Sequence, residues 1–377
     1  MNKNLFNALT FSILAASGSA SAAVLTVNSG LGLDSNPFRL SDQFSFDEQA
    51  YFNNSIRLKS DFKSPFIYNL SYTNKVHINE SRADTTAKGF NLGYKGKWGD
   101  LKYRATFGKR DFEKTYVSRF SGKVYESKGE SFPHRYNFER LTPKLTLDYQ
   151  LNKRHNLLLS GEYSETDYHN YGEFGLSNLD YFQWVGEAGW RFKATKSFTS
   201  TLNFNLQQRE YDGRLAKDKD GKNIDGLTSI YDYWGVEWSG RYRISKQTRL
   251  SFSAGFTEKT DNASGYYDTK YLTMGARLRH KTDSDTVFTA SVMYSDLQYL
   301  RGNIQDNSET DIEANDELPD NSGLVSRLSI DKPFWSSGKN QAQFYLSGAY
   351  YQYESGIKKY TYDRYKVETG IKLKFDF

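Results

Sequence analysis

Histidine is the side chain best suited to acid–base chemistry near neutral pH. This sequence holds His77, His134, His155, His169 and His280. None stands beside a serine in a recognised hydrolase motif, and a general base needs a positioned partner within hydrogen-bond reach. Cysteine is absent, which excludes disulfides and thiolate metal sites. We therefore expect structural or surface histidines, no cofactor and no enzyme activity.

Clustered carboxylates could instead bind a divalent cation. The stretch 297–322 carries Asp306, Glu309, Asp311, Glu313, Asp316, Glu317 and Asp320. A solvated loop explains the same cluster, and we favour that interpretation. In 212–229 the spacing of the acids does not match a calcium-loop template, and the stretch indicates turns. No metal site is predicted.

Basic residues recur at alternate positions over much of the chain, which would place them on one face of a wall of strands. The lumen candidates are Arg57, Lys95, Lys97, Lys102, Arg104, Arg241, Arg243, Arg277, Arg279, Arg327, Lys372 and Lys374. In a narrow lumen such side chains concentrate the field and attract anions. The alternative is a polar wall whose charges cancel in salt bridges, such as Glu237 with Arg241.

Tyrosines occupy the same face toward one end of the strands. Tyr233, Tyr271, Tyr345 and Tyr351 are candidates for stacking on sugar rings, because an aromatic face with a hydroxyl suits such surfaces. They could equally fill the upper part of a barrel.

These roles require strands, and the last sixteen residues, 362–377, show the pattern best. From Tyr365 the odd positions are mostly apolar up to Phe377, while the even positions carry Lys366, Glu368, Lys372, Lys374 and Asp376. Alternate side chains of a strand point to opposite faces. Sixteen such candidates are predicted, near 24–33, 50–60, 65–78, 86–98, 100–111, 139–151, 155–166, 181–193, 197–211, 230–245, 248–259, 269–281, 285–296, 323–333, 341–353 and 362–377.

The connections alternate between long and short. Long ones include 34–49, 112–138 and 297–322, and short ones include Gly99 and 152–154. Short periplasmic turns, long outer loops and an even strand number are typical of an outer-membrane β-barrel. The segment 112–138 itself resembles a hairpin. If that hairpin joins the wall, the barrel has eighteen strands; we favour sixteen.

Composition and aromatic placement agree with a transmembrane barrel. The mean hydropathy is −0.74, so the chain holds no apolar stretch of about 20 residues for a spanning helix. Aromatic residues make up 16 % of the chain and gather near the predicted strand ends, as membrane girdles do. Trp98, Trp190 and Phe377 mark one rim, and Trp184 and Trp234 the other.

The N-terminus predicts export. Residues 1–22 combine Lys3, an apolar core and the small-residue site Ala20-Ser21-Ala22, the pattern of a secretory signal peptide. We expect 23–377 to form one barrel domain.

The stretch from Gly30 to Asp42, Gly-Leu-Gly-Leu-Asp-Ser-Asn-Pro-Phe-Arg-Leu-Ser-Asp, is the most specific motif of the chain. It resembles the N-terminal signature of the beta-barrel porin 2 family, whose first strand often ends in a Gly-x-x-Asp-x-Asn-Pro-like turn. That resemblance implies a barrel often associated with exopolysaccharide synthesis, and it implies no catalytic residues.

The sequence therefore predicts an outer-membrane pore of a Gram-negative cell that passes an anionic or sugar-rich solute, with export of an exopolysaccharide as the specific form. The alternative is a closed structural or adhesive barrel that acts through its outer loops. Expected partners are outer-membrane lipid and lipopolysaccharide, the barrel-assembly machinery through the strand ending at Phe377, and a polysaccharide or small anion. Nucleic acid is not expected.

Overall fold

The structure is a computed structural model that describes residues 23–41, 47–61, 63–118, 122–127, 129–169, 176, 178–300, 321–356 and 360–377. The predicted signal peptide and most of the acidic stretch 297–322 lie outside these residues. In chain order the strands are β1 (Ala23–Asp34), β2 (Gln49–Ser60), β3 (Phe66–His77), β4 (Thr85–Trp98), β5 (Leu101–Lys114), β6 (Glu126–Ser127), β7 (Glu130–Ser131), β8 (Phe138–Gln150), β9 (His155–Tyr168), β10 (Tyr181–Lys193), β11 (Phe198–Lys217), β12 (Asn223–Arg243), β13 (Thr248–Asp261), β14 (Thr269–Lys281), β15 (Val287–Tyr299), β16 (Asn321–Ser337), β17 (Asn340–Ser355) and β18 (Tyr362–Asp376). A short 3-10 helix spans Ser81–Ala83.

All strands except β6 and β7 form one closed antiparallel barrel of sixteen strands. The first and last strands close it: Val24 lies opposite Asp376, and Asp34 lies opposite Lys366. Closure satisfies the backbone of every wall strand and leaves no open edge, which is a requirement for a sheet that spans lipid. The predicted fold class and strand number are confirmed.

The two faces of the wall are chemically distinct. Large apolar side chains are exposed on one face, with Trp98 81 %, Leu328 67 % and Phe377 69 % accessible. Polar side chains of the other face contact each other across an intervening strand, as Lys75 of β3 does with Asp34 of β1. Contacts that skip a strand occur on the concave side of a barrel, so the polar face lines the lumen and the apolar face meets lipid.

Membrane girdles lie on the lipid face as predicted. Trp190 and Tyr242 toward one end, and Trp184 and Trp234 toward the other, are each 40–45 % exposed. In β2 the polar Asn54 interrupts this face, and its side chain accepts a hydrogen bond from Ser29 Oγ at 2.7 Å. Pairing of the polar side chains with each other allows β2 to form despite the break in its apolar pattern.

The predicted connection at 212–229 is different in the structure. β11 and β12 continue through it to Lys217 and from Asn223, with a register shift between Glu210 and Leu215. Their neighbours β10 and β13 end their pairing at Tyr211 and Tyr231. The stretch is therefore a β-hairpin that projects beyond the outer end of the wall rather than a series of turns.

The hairpin predicted in 112–138 forms and stays out of the wall. Val117 bridges Val124, and β6 pairs with β7 in a separate small sheet. Arg82, in the β3–β4 connection, donates to the Gly122 carbonyl at 2.9 Å. Arg82 also donates to Glu80 at 2.6 Å, and this hydrogen bond lowers the pKa of the Glu80 carboxyl. The hairpin is thus packed against another outer connection.

Candidate functional site

Every basic lumen candidate named from the sequence lies on the inward face, as the strand register shows. Most lie within a few residues of the periplasmic strand ends. We call this set the periplasmic cation ring: Arg57, Lys95, Lys97, Lys102, Arg104, Arg241, Arg243, Arg249, Arg277, Arg279, Lys372 and Lys374. Arg249 is a member that the sequence pattern missed. Arg327 lies apart, further up the wall on β16.

Arginines face arginines on three neighbouring strands of this ring. Arg243 of β12 is directly opposite Arg249 of β13, which is directly opposite Arg279 of β14. One step further up, Ser251 separates Arg241 from Arg277. Like charges directly opposite each other destabilise a sheet, so folding alone does not account for this arrangement.

Three acids near the ring are each engaged by a base. Asp148 pairs with Arg191 at 3.0 Å, and Asp331 pairs with Lys372 at 2.8 Å. Asp376 contacts Lys339 at 3.4 Å.

The salt bridge between Glu237 and Arg241, offered as the alternative to a charged lumen, is absent from the ion pairs of the described residues. Among those residues, no carboxylate lies within 4.0 Å of Arg243, Arg249 or Arg279. The ring therefore carries a surplus of positive charge.

The four tyrosine candidates also face inward but have different surroundings. Tyr233 lies beside Arg209, whose guanidinium is 5.9 Å from the ring centroid. Tyr345 donates to Glu368 at 2.6 Å. Tyr351 has Arg327 and Arg364 at 5.8 and 5.7 Å from its centroid. Tyr271 lies opposite Thr257 on β13. These four side chains do not form one continuous stacking surface.

A continuous aromatic surface exists elsewhere, at the outer end of the lumen. We call it the outer tyrosine arc: Tyr168, Tyr181, Tyr211, Tyr231 and Tyr267. Successive ring centroids are 6.3, 5.4, 5.5 and 5.6 Å apart. The signal in the sequence was a tyrosine at the outer end of each of four consecutive strands.

Cations interleave with the arc. Arg209 lies 4.4 Å from the Tyr181 centroid, Arg214 lies 4.9 Å from that of Tyr267, and Lys259 lies 5.0 Å from that of Tyr231. Distances below about 6 Å are favourable cation–π contacts. No carboxylate of the described chain forms an ion pair with these three cations. At the outer end of the lumen, aromatic faces thus alternate with three cations.

A third cluster lies where the barrel closes. Asp34 is fully buried and accepts two hydrogen bonds from Arg364, at 2.8 and 2.6 Å. Lys75 and Lys366 approach the same carboxylate at 2.9 and 3.4 Å. A buried carboxylate is stable only when paired in this manner. The cluster fixes β18, β1 and β3 to each other on the lumen side.

His77, His155 and His280 lie on three different strands. His77 is buried, and its Nδ1 lies 3.4 Å from Asp84 Oδ1. His155 lies on the lipid face, where the Trp190 Nε1 group donates to it at 3.1 Å. His280 contacts Thr248 at 2.9 Å. The described residues hold no group of three or more acidic or histidine side chains that could bind a metal ion.

No protein-family model and no curated protein matches this sequence. Solved outer-membrane structures resemble it over almost the whole chain. OccAB1 of Acinetobacter baumannii is 10 % identical with a TM-score of 0.49, covering 95 % of this chain and 96 % of its own. OmpT, an outer membrane protein of Vibrio cholerae, is 12 % identical as a loop-deletion variant with a TM-score of 0.45, covering 94 % and 100 %. An anion-selective porin from Comamonas acidovorans is 10 % identical with a TM-score of 0.43, covering 94 % and 99 %.

Likenesses at this level carry no argument about solute or activity. The wall itself supplies the location. Sixteen antiparallel strands close completely, apolar side chains cover the outer face, and aromatic girdles flank that band. This chain is an outer-membrane β-barrel of a Gram-negative cell.

Proposed function

We propose that the protein is a non-enzymatic outer-membrane pore that passes anionic solutes. Barrels of about 16–18 strands leave an aqueous channel, whereas about eight strands are filled by side chains. The observation that carries the proposal is the surplus of inward cations. The strongest case is Arg249, which lies directly opposite Arg243 on one side and Arg279 on the other. An anion in the lumen would relieve that repulsion and be concentrated by it.

The proposed mechanism follows from the positions of the periplasmic cation ring and the outer tyrosine arc at opposite ends of the barrel. The periplasmic cation ring attracts an anion at one mouth, and the outer tyrosine arc with Arg209, Arg214 and Lys259 receives it at the other. Aromatic faces among cations suit a solute that combines negative charge with ring surfaces. Export of an anionic exopolysaccharide is the specific form that we propose, and the resemblance of 30–42 to the beta-barrel porin 2 family supports it.

Flux through proteoliposomes tests the pore directly. Gluconate and N-methylglucamine are similar in size and opposite in charge, so their relative efflux reports charge selection rather than diameter. We expect gluconate to pass at least tenfold faster. Replacing Arg241, Arg243, Arg277 and Arg279 together with Gln should reduce that preference, whereas Lys332→Gln should not, because Lys332 is at the same end of the wall on the lipid face.

A closed surface barrel remains the second candidate, and one observation favours it. The hairpin of β11 and β12 extends beyond the wall, with no pairing to β10 or β13 there. Such a projection could contact a surface partner. Absence of flux for both solutes, from barrels that are correctly folded, would support this function over the pore.

A further inference from the structure

The lumen wall contains a recess beside the Asp34 cluster, formed across β1 by side chains of β2, β3, β16, β17 and β18. Its volume is about 260 Å³, and its lining includes Asn53, Lys75, Arg327, Tyr351, Lys366 and Glu368. Pockets for drug-sized ligands measure roughly 300–1,000 Å³. This recess therefore suits a single sugar ring or a molecule of similar size.

Its charge favours an anionic group. Lys75 and Lys366 contact Asp34, but each ammonium has three donors and part of its capacity remains. Arg327 forms no ion pair with any described residue. Asp34 itself lies behind the lining and is held in a bidentate pair by Arg364. With Arg364 included, four cations thus surround two carboxylates, Asp34 and Glu368.

The lining carboxylate, Glu368, argues against a bare anion. Its Oε1 accepts from Tyr345 at 2.6 Å and from Asn53 at 3.1 Å, and its Oε2 accepts from Tyr51 at 2.9 Å and from Asn53 at 3.2 Å. An ionised carboxylate only accepts, and it has about four lone-pair sites, so these contacts engage it fully. Glu368 would repel phosphate or acetate placed against it.

The aromatic side of the recess is Tyr351. Its half-buried ring lies beside the guanidinium groups of Arg327 and Arg364. An aromatic face beside cations suits a ring with an apolar face and an attached negative charge.

We infer that this recess binds an acidic sugar, a pyranose that carries a carboxylate. The carboxylate lies against Arg327, Lys366 and Lys75, away from Glu368, and the ring packs on Tyr351. The inference deepens the proposed function, since it rests on the lumen being open to solute, and it names the substrate class.

Calorimetric titration of the folded barrel in detergent tests the inference with three probes. D-glucuronate has both the ring and the carboxylate, D-glucose lacks the carboxylate, and acetate lacks the ring. We expect glucuronate to bind at least tenfold more tightly than either of the others. Equal binding of acetate would show a simple anion site, and equal binding of glucose a neutral sugar site; either result overturns the inference without any variant.

Two variants locate the site. Arg327→Gln and Tyr351→Leu should each weaken glucuronate binding at least tenfold, while Arg327→Lys should retain part of it. Lys332→Gln is the control, because Lys332 lies on the lipid face of the wall and not in the recess. Circular dichroism verifies that each variant is folded. Unchanged binding in Tyr351→Leu would overturn the proposed packing.

The outcomes separate this inference from the pore. Absence of glucuronate binding to the unsubstituted barrel, with gluconate flux intact, overturns the recess alone. Binding without flux of either solute overturns the pore alone.

Discussion

At the scale of single residues, charge placement opposes stability at one end of the lumen and supports it at the other. Arg243, Arg249 and Arg279 repel one another near the periplasm, whereas Asp34 neutralises Arg364 at the barrel closure. The first arrangement costs folding energy. In the second, each buried charge is compensated, so removal of either partner would leave the other charge buried and unpaired.

The repulsion predicts a trade-off at Arg249, the central member of the three. Arg249→Gln should raise the free energy of unfolding by about 0.2–1 kcal/mol, because it removes the repulsion between Arg249 and the arginines on the two neighbouring strands. The same change should lower anion preference. Denaturant unfolding in lipid vesicles measures the first effect and the gluconate assay the second. A loss of stability would show that Arg249 has a partner that stabilises it.

Removal of the Asp34 charge should have the opposite effect. Asp34→Asn leaves Arg364 buried without its counter-charge, and breaking a buried pair costs about 3–5 kcal/mol. Glu113→Gln is the matched control: its partner Lys88 and Glu113 itself are 51 % and 54 % exposed. An exposed pair contributes only about 0–1 kcal/mol. Equal unfolding free energies of the two variants would contradict the role given to Asp34.

At the scale of elements, β1 explains the motif that the sequence singled out. A Cβ at Gly30 would lie 2.1 Å from the Tyr345 hydroxyl oxygen, and one at Gly32 would lie 2.5 Å from Tyr51 Cζ. Gly32 therefore lets Tyr51 cross β1 and reach Glu368, and Gly30 leaves room for the Tyr345 hydroxyl, which donates to the same carboxylate. In the turn that follows, the Asn36 side chain donates to the Leu40 carbonyl oxygen and accepts from the Leu40 backbone N–H. The motif therefore shapes the part of the wall where β1 pairs with β18 and closes the barrel.

Alanine substitutions at two glycines, Gly32 and Gly161, test this account. Gly32→Ala should cost about 1–3 kcal/mol, because the added methyl also meets the Val367 carbonyl oxygen at 2.7 Å. Gly161→Ala on β9 should be nearly neutral, since nothing lies within 4 Å of its added Cβ. Unfolding midpoints in denaturant compare the two. An unchanged unfolding midpoint for Gly32→Ala would show that Tyr51 does not need the space above β1.

The hairpin of β6 and β7 should be dispensable for the wall. Replacing 118–131 with a short Gly-Ser linker removes no wall hydrogen bond, so circular dichroism should stay that of the full barrel. Arg82 loses the Gly122 carbonyl and should become more sensitive to trypsin. Arg154, in a periplasmic turn, serves as the internal control. Failure to fold would assign the hairpin a role in the wall.

The sequence predicted what depends on local periodicity and missed what depends on closure. Alternation placed Arg241, Arg277 and Lys372 on the lumen face, because side-chain direction follows from parity within a strand. Asp34 and Arg364, 330 positions apart, meet only once β1 pairs with β18. The outer extension of β11 and β12 was missed because Asp212, Gly213 and Gly226 favour turns. Site roles for the predicted cations and tyrosines remain proposals.

At the scale of the whole molecule, inward cations concentrate at the periplasmic end of the lumen, although the formal net charge is only +5 over the full chain. In the proposed pore, selectivity depends on which face the charges occupy and not on their sum. A low-dielectric wall strengthens the field of the inward cations, and salt screens it over about 10 Å at 0.1 M. We expect charge selection to weaken as ionic strength rises.

The reversal potential of single channels in a salt gradient tests the central claim most directly. We predict discrete conductance steps and a reversal potential of the sign set by the more permeant anion, with the potential shrinking at high salt. A reversal potential of the opposite sign, from a folded and conducting barrel, would show that cations pass preferentially and would contradict the cationic lumen as the basis of function.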